Sequence, residues 1–187
     1  MILESFFATI DHQVLKEILK KYIRDEDILW LLFKIIESFC IDNKKCGLPL
    51  GNLTSQLLVN IYMNEFDQFV KKYLKTKYYI RYADDFVFLS QDKEYLNSLL
   101  LKIKLFLQGE LKLSLHPNKV KIETIASGVD FLGWVHFPDH RVLRASTKRR
   151  MFQNILENGR KEVIESYLGL LSHGDAHKIK KQINSST

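Results

Sequence analysis

The feature that most constrains this chain is Tyr82-Ala83-Asp84-Asp85, set between two runs that read as strands, Tyr78–Tyr82 and Phe86–Ser90. Both runs are aromatic and β-branched, a composition suited to a pleated, half-buried surface. A tight turn is all that separates them, so an antiparallel hairpin is expected with Asp84 and Asp85 at its tip. Carboxylates this close repel one another, and any loss of solvent raises the cost. Divalent cations remove the problem, because Mg²⁺ prefers carboxylate oxygen and often binds through one or two carboxylates plus substrate phosphates. Two such ions about 4 Å apart can stabilise both the attacking and the leaving oxygen of a phosphoryl transfer. Asp is also a favoured turn residue, so an Asp-Asp pair between strands equally satisfies a simple turn.

The surrounding pattern predicts helices on either side of this hairpin. Asp11 is an N-cap candidate ahead of Val14, Leu15, Ile18, Leu19 and Tyr22 at helical spacing. Asp25 or Asp27 caps a second helix through Ile28, Leu29, Leu32, Phe33 and Ile36. Gly47–Gly51 reads as a loop, and a long helix opening at Thr54 or Ser55 runs to about Leu74. After the hairpin, residues 92–112 are helical and Val120–Ile125 reads as a short strand. Phe131–Phe137 and Arg141–Ala145 form a second hairpin. Residues 147–183 are helical and basic, interrupted near His173-Gly174. The order predicts an α+β fold, an antiparallel sheet with helices on one face.

The 187 residues are 46% hydrophobic and 27% charged, enough apolar mass for a real core. The net charge of +6 is unevenly placed: residues 138–187 hold ten Lys/Arg against five Asp/Glu. Nucleic acid is the natural partner for such a patch, and a solvated basic face is the alternative. Cys40 and Cys46 lie in no zinc-ligand spacing. The start is no signal peptide, and the apolar run Ile28–Phe33 is far too short to span a bilayer. A cytoplasmic location with reduced thiols is the expectation, with no membrane partner.

Tyr-x-Asp-Asp on a hairpin resembles the metal-binding signature of reverse transcriptases, and other segments follow in that family's order. Phe6-Phe7-Ala8-Thr9-Ile10-Asp11-His12 resembles the end of its first palm motif, and Gly47–Gln56 its second. Leu113, Leu115 and Lys119 resemble the motif after the catalytic hairpin, and Phe131-Leu132-Gly133-Trp134 the primer-grip hairpin. The wording is closest to the prokaryotic group of retron, group II intron and diversity-generating types. Gly51–Gln56 looks most like the last of these.

The resemblance implies a palm over residues 1–137, a partial helical thumb over 138–187, and RNA-templated DNA synthesis from dNTPs on a primer 3′-hydroxyl with two Mg²⁺ ions. It implies that Asp84 is a metal ligand and that Asp85 supports the same site. Phe7 matches an aromatic gate whose ring would collide with a 2′-hydroxyl. Leu50 and Gly51 match a loop at the nascent base pair. Many relatives carry Gln where this chain has Leu50, and Ser55 or Gln56 is placed to compensate. Lys119 matches a lysine near the triphosphate, where a cation assists the leaving group. Trp134, His136 and Arg141 belong to the primer-holding hairpin, and Lys148, Arg149 and Arg150 are expected to track phosphates.

The sequence also departs from the family. Its first motif begins with an Asp five residues before the gate aromatic, and that position is Ile2. Glu4 shares a strand face with Ile2 but is displaced by about 7 Å. No fingers sequence is recognisable, and the thumb looks truncated. A missing fingers segment or an accessory protein is therefore an expected partner, beside the RNA template and DNA primer. The alternative to a polymerase is a non-catalytic nucleic-acid-binding remnant.

Overall fold

A computed structural model describes residues 1–39 and 45–186, with the side chains of 184–186 excepted. Cys40 lies outside the described residues. The chain divides into two compact units, Met1–Ile122 and Glu123–Thr187.

The first unit opens with a short helix α1 (Phe6–Thr9), then α2 (His12–Tyr22) and α3 (Glu26–Glu37). Asp11 caps α2 by accepting from the Val14 amide, and Asp25 caps α3 by accepting from Ile28, each at 3.0 Å. The long helix α4 (Leu53–Gln68) runs on through a wider π-helical turn, Phe69–Tyr73, so the helix expected to reach Leu74 does so with a change of pitch. Its N-cap residue is Asn52, two or three residues earlier than Thr54 or Ser55 suggested. The hairpin follows as β1 (Tyr79–Tyr82) and β2 (Asp85–Phe88), then α5 (Lys93–Glu110).

Helix α4 supplies the centre of this unit's core. Leu58, Val59, Tyr62, Met63, Phe66 and Val70 are all buried on one stripe of it. Each such side chain contributes about 1.5–3 kcal/mol when removed from water. Phe66 packs against Phe86 of β2 with ring centroids 5.1 Å apart, and Phe69 stacks on Phe106 of α5 at 4.1 Å. The Tyr62 hydroxyl donates to the Leu111 carbonyl at 2.6 Å, which ties α4 to the end of α5; burial pushes its pKa upward.

The second unit is a three-stranded antiparallel meander, β3 (Val129–Phe131), β4 (Trp134–His136) and β5 (Arg141–Leu143), followed by α6 (Ala145–Glu157), α7 (Lys161–Leu171) and α8 (His177–Ser186). The expected second hairpin is present as β4 and β5, but it has a third strand. Leu132 and Gly133 have φ of 52° and 83°, the left-handed pair that a two-residue hairpin turn requires. Phe131–Trp134 is therefore a β3–β4 turn and not the interior of one strand. The meander shares a core with α6–α8, built on Trp134, Leu143, Met151, Ile155 and Leu171. This is why the units divide before the meander, at 122/123.

Val120–Ile125 is not a strand. Residues 121–124 are exposed and take no ladder partner among the described residues, and Ile125–Ser127 closes into a 3₁₀ turn. Alternation alone does not make a strand; a strand also needs a ladder partner. Small antiparallel sheets with helices against them make this an α+β fold, as expected. No described helix is long and apolar enough to cross a membrane.

Candidate functional site

The hairpin register sets the geometry. Tyr79 pairs with Phe88, Ile80 with Val87, Arg81 with Phe86 and Tyr82 with Asp85. Ala83 and Asp84 form the turn, with Ala83 at a left-handed φ of 52°. Asp84 is thus a turn residue and Asp85 the first residue of β2, both half-buried. Side chains alternate across the hairpin. Tyr79, Arg81, Phe86 and Phe88 face the core, whereas Ile80 and Tyr82 are 58% and 65% exposed. The hairpin therefore buries one face alone. The other face is open, and it is the face that carries Asp85.

The segment Met1–Glu4 lies beside β2. Ile2 bridges Asp85 in antiparallel register, with the Leu3 amide donating to Asp84 at 3.2 Å and the Phe86 amide to Met1 at 3.0 Å. Those bonds flank the pair, so Ile2 and Asp85 form the non-hydrogen-bonded type, with Cα atoms about 4.5 Å apart and side chains on one face. On its far side the segment pairs with Ser114–His116 through the Leu3–Leu115 bridge, which sets Ile2 across from His116. The Met1 amine donates to the Phe86 carbonyl at 2.9 Å; burial lowers its pKa, and the Asp85 carboxylate opposes that shift.

Below the turn sits a cluster on the core face. Arg81 is held by Asp67 of α4 through two bonds, Nε to Oδ1 at 2.8 Å and Nη2 to Oδ2 at 2.5 Å. Its remaining Nη1 donates to the carbonyl of Ala83 at 3.0 Å. The Tyr79 hydroxyl also donates to Asp67, at 2.7 Å. Burial, reinforced by that bond, pushes the tyrosine pKa upward. Burial acts to lower the Arg81 pKa, but the Asp67 bond and charge outweigh it and the net shift is upward.

The first and second motifs meet through their backbones. The Leu48 amide donates to Phe7 and the Gly47 amide to Ile10, both at 2.8 Å, and the buried His12 ring is 2.7 Å from the Gly47 carbonyl. Phe7 is half-buried on α1, its ring edge-on to Phe6 at 5.5 Å. Leu50 projects into solvent at 78% exposure, beside Gly51 at φ 79°. Ser55 is buried on the inner side of α4, which leaves Gln56 as the exposed polar group one turn beyond the loop. Lys119 is exposed at the end of a turn closed by its amide to the His116 carbonyl, 3.1 Å.

In the second unit Trp134 is 7% exposed, a core side chain and not a surface one. Arg141 lies over its ring at 5.3 Å and Gly174 is seated against it. His136 is half-buried with Nε2 3.3 Å from the Phe131 carbonyl. Arg149 and Arg150 are exposed on α6, while the Lys148 ammonium sits 5.8 Å from the centre of the Phe152 ring.

Two carboxylates on adjacent residues of a fixed turn fit one divalent ion held partly through water. Ile2, across from Asp85, offers no oxygen. No group of three His, Cys, Asp or Glu is gathered for a metal among the described residues.

The sequence model of the family described as reverse transcriptase (RNA-dependent DNA polymerase) matches residues 2–136. The chain belongs to the reverse transcriptase family. It is 30% identical over 183 residues to Protein YkfC of Escherichia coli K12, a match covering 78% of this chain and 46% of that protein. Group II intron-encoded protein LtrA of Lactococcus lactis subsp. cremoris is 24% identical over 216 residues, covering 79% of this chain and 35% of LtrA. The putative COX1/OXI3 intron 2 protein of Saccharomyces cerevisiae is 22% identical over 193 residues, covering 71% and 23%. These relatives bear out the expected prokaryotic type of reverse transcriptase. The chain spans less than half the length of these curated relatives.

Reading the sequence alone missed Arg81, Asp67 and Tyr79. The signal was available: Arg81 is a charge at a core-facing position of an otherwise aromatic strand, and such a charge needs a buried partner.

Proposed function

We propose that this chain is the palm and partial thumb of an RNA-directed DNA polymerase and carries its metal-binding carboxylates. The observation that supports this most is the register of Ile2 with Asp85. It sets the strand of the first motif directly beside the Tyr82-Ala83-Asp84-Asp85 hairpin, the juxtaposition that joint metal binding by the two motifs requires. Asp84 and Asp85 would hold Mg²⁺. When bound, such ions stabilise the attacking primer oxygen and the leaving pyrophosphate oxygen. The chain's own groups do the rest. Phe7, backed by Leu48, limits the space beneath the incoming sugar and favours a deoxynucleotide. Leu50, Gly51 and Gln56 present an apolar, shape-selecting edge with one polar group to the nascent base pair. Lys119 offers a cation for triphosphate. His136 and Arg141 of the meander, with Lys148, Arg149 and Arg150, bear on primer and template phosphates, and Trp134 serves by shaping that meander from within.

Ile2 favours a second reading for this chain as it stands, a nucleic-acid-binding remnant without catalysis. Removing a metal ligand forfeits several kcal/mol of charge stabilisation, and each 1.4 kcal/mol is about tenfold in rate. The two readings separate in a primer-extension assay on RNA template with Mg²⁺ and dNTPs, run beside Mn²⁺ binding followed by electron paramagnetic resonance. The expected result is an unextended primer together with weak Mn²⁺ binding that Asp84→Asn removes. Robust extension abolished by Asp84→Ala would restore the full polymerase reading for this chain. Mn²⁺ binding indifferent to Asp84→Asn would overturn the metal site itself.

A further inference from the structure

We propose that Arg81 and Asp67 are positioning residues that hold the Asp84-Asp85 turn in its metal-binding shape. The inference rests on the reading of Asp84 and Asp85 as metal carboxylates, and it assigns a role to two residues outside the five family motifs.

Neither side chain is where packing alone would put it. Arg81 faces the core beside Phe86 with 10% of its side chain exposed. Taking a guanidinium and a carboxylate out of water is costly, and an apolar pair of similar volume is often as stable or more so. What an apolar pair cannot do is aim a hydrogen bond. Arg81 commits two donors to Asp67, Nε and Nη2, which fixes the plane of the guanidinium. The third donor, Nη1, then points at the Ala83 carbonyl. Ala83 is the residue immediately before Asp84, and its φ of 52° is a conformation that a residue with a Cβ adopts at a cost. Tyr79 steadies the assembly by donating to Asp67 from the same strand.

The chain of contact therefore runs from α4, through Asp67 and Arg81, to the strained peptide that sets the direction of Asp84. Asp67 itself is anchored in the last turn of α4, just before the pitch widens at Phe69. Partners at this remove orient the ligands that touch a metal, and losing them typically costs about ten- to a hundredfold in metal affinity. Lys at position 81 would keep the charge and lose the fork, since one ammonium cannot span both carboxylate oxygens and the carbonyl.

The test compares the 187-residue chain with Arg81→Lys and with the apolar pair Arg81→Met/Asp67→Leu. Three readouts are taken: Mn²⁺ affinity by electron paramagnetic resonance, backbone ¹⁵N order parameters at residues 83–85, and the thermal midpoint. The expected result is Mn²⁺ affinity about tenfold weaker in both variants, with order lost at 83–85 alone. The apolar pair also removes the acceptor of the Tyr79 hydroxyl, so its midpoint should fall modestly, and unchanged order outside residues 83–85 shows that the fold is kept. If residues 83–85 stay as ordered as before, the clamp does not hold the turn and the proposal fails. It fails equally if the turn loosens while Mn²⁺ affinity is unchanged. If the unaltered chain shows no Mn²⁺ binding that Asp84→Asn removes, the metal reading falls instead, and the order parameters still decide whether the pair holds the turn.

Discussion

On the metal reading proposed above, Ile2 is the residue on which the chemistry of this chain turns, because it pairs across strands with Asp85. Replacing it should have two opposed effects. In Ile2→Asp, a third carboxylate lies beside Asp85 in a half-buried position, so without metal the chain should lose stability through like-charge repulsion. With Mn²⁺ the same carboxylate becomes a ligand, and affinity should rise by about tenfold, equivalent to 1.4 kcal/mol. The thermal midpoint of Ile2→Asp should then fall below that of the unaltered chain in chelator and climb more steeply with added Mn²⁺. Calorimetric titration with Asp84→Asn as control checks both. An Ile2→Asp variant indistinguishable from its parent would mean that position 2 does not face the ion. At this scale the sequence is informative where a residue type is itself chemical, as at Asp84 and Asp85. It is silent on Arg81, because an arginine's meaning depends on which carboxylate folds up to meet it.

Helices are legible to within a turn wherever an apolar stripe and a capping Asp coincide, as in α2 and α3. Strands are less so. The hairpin around Asp84 is plain in the sequence because its turn is flanked by long aromatic runs. The meander has one strand more than its sequence suggests: Val129–Phe131 offers only three residues, too short a run to stand out, while the turn at Leu132-Gly133 passes for strand interior. Pairing partners are a tertiary fact, and Val120–Ile125 shows the converse case of a β-like run that joins neither sheet. Gly174 carries a prediction at this scale. It sits between α7 and α8, where a Cβ would collide with Cζ3 of Trp134 and come 2.9 Å from the backbone oxygen of Arg141. The ring is locked between that site and Arg141, so the clash has no cheap release. Gly174→Ala should destabilise the second unit by about 1–3 kcal/mol, the usual cost of overpacking. Of the two tryptophans, Trp30 is exposed and Trp134 buried. Denaturant unfolding followed by fluorescence in a Trp30→Phe background therefore reports on Trp134. An unchanged midpoint would show that Trp134 is less firmly held than its neighbours indicate.

For the whole molecule, the uneven charge is plain in the sequence, but its setting is not. The ten Lys/Arg beyond residue 137 belong to a unit that begins at Glu123. On α6, Ala145, Lys148, Arg149, Phe152, Gln153 and Leu156 line an open, mainly apolar hollow. Arg149 and Arg150 are exposed, and among the described residues neither forms an ion pair that its replacement would break. Lys148 lies along Phe152, so Lys148→Gln keeps most of the stem that covers the ring. Neutralising all three should therefore leave the fold intact while removing cations from one face. If that face tracks a phosphate backbone, primed duplexes should bind weakly and without sequence preference, and affinity should fall steeply with salt as counterions are released. The slope of log K against log salt should become shallower by about one for each phosphate that is no longer neutralised. Fluorescence anisotropy of a labelled RNA–DNA primed duplex across a salt series, for the parent chain and Lys148→Gln/Arg149→Gln/Arg150→Gln, measures that slope directly. A parallel shift with unchanged slope would mean that these residues act on the duplex other than through its phosphates. No binding by the parent chain at low salt would leave the basic excess of this unit as a solvated surface, and the polymerase reading would then rest on the first unit alone.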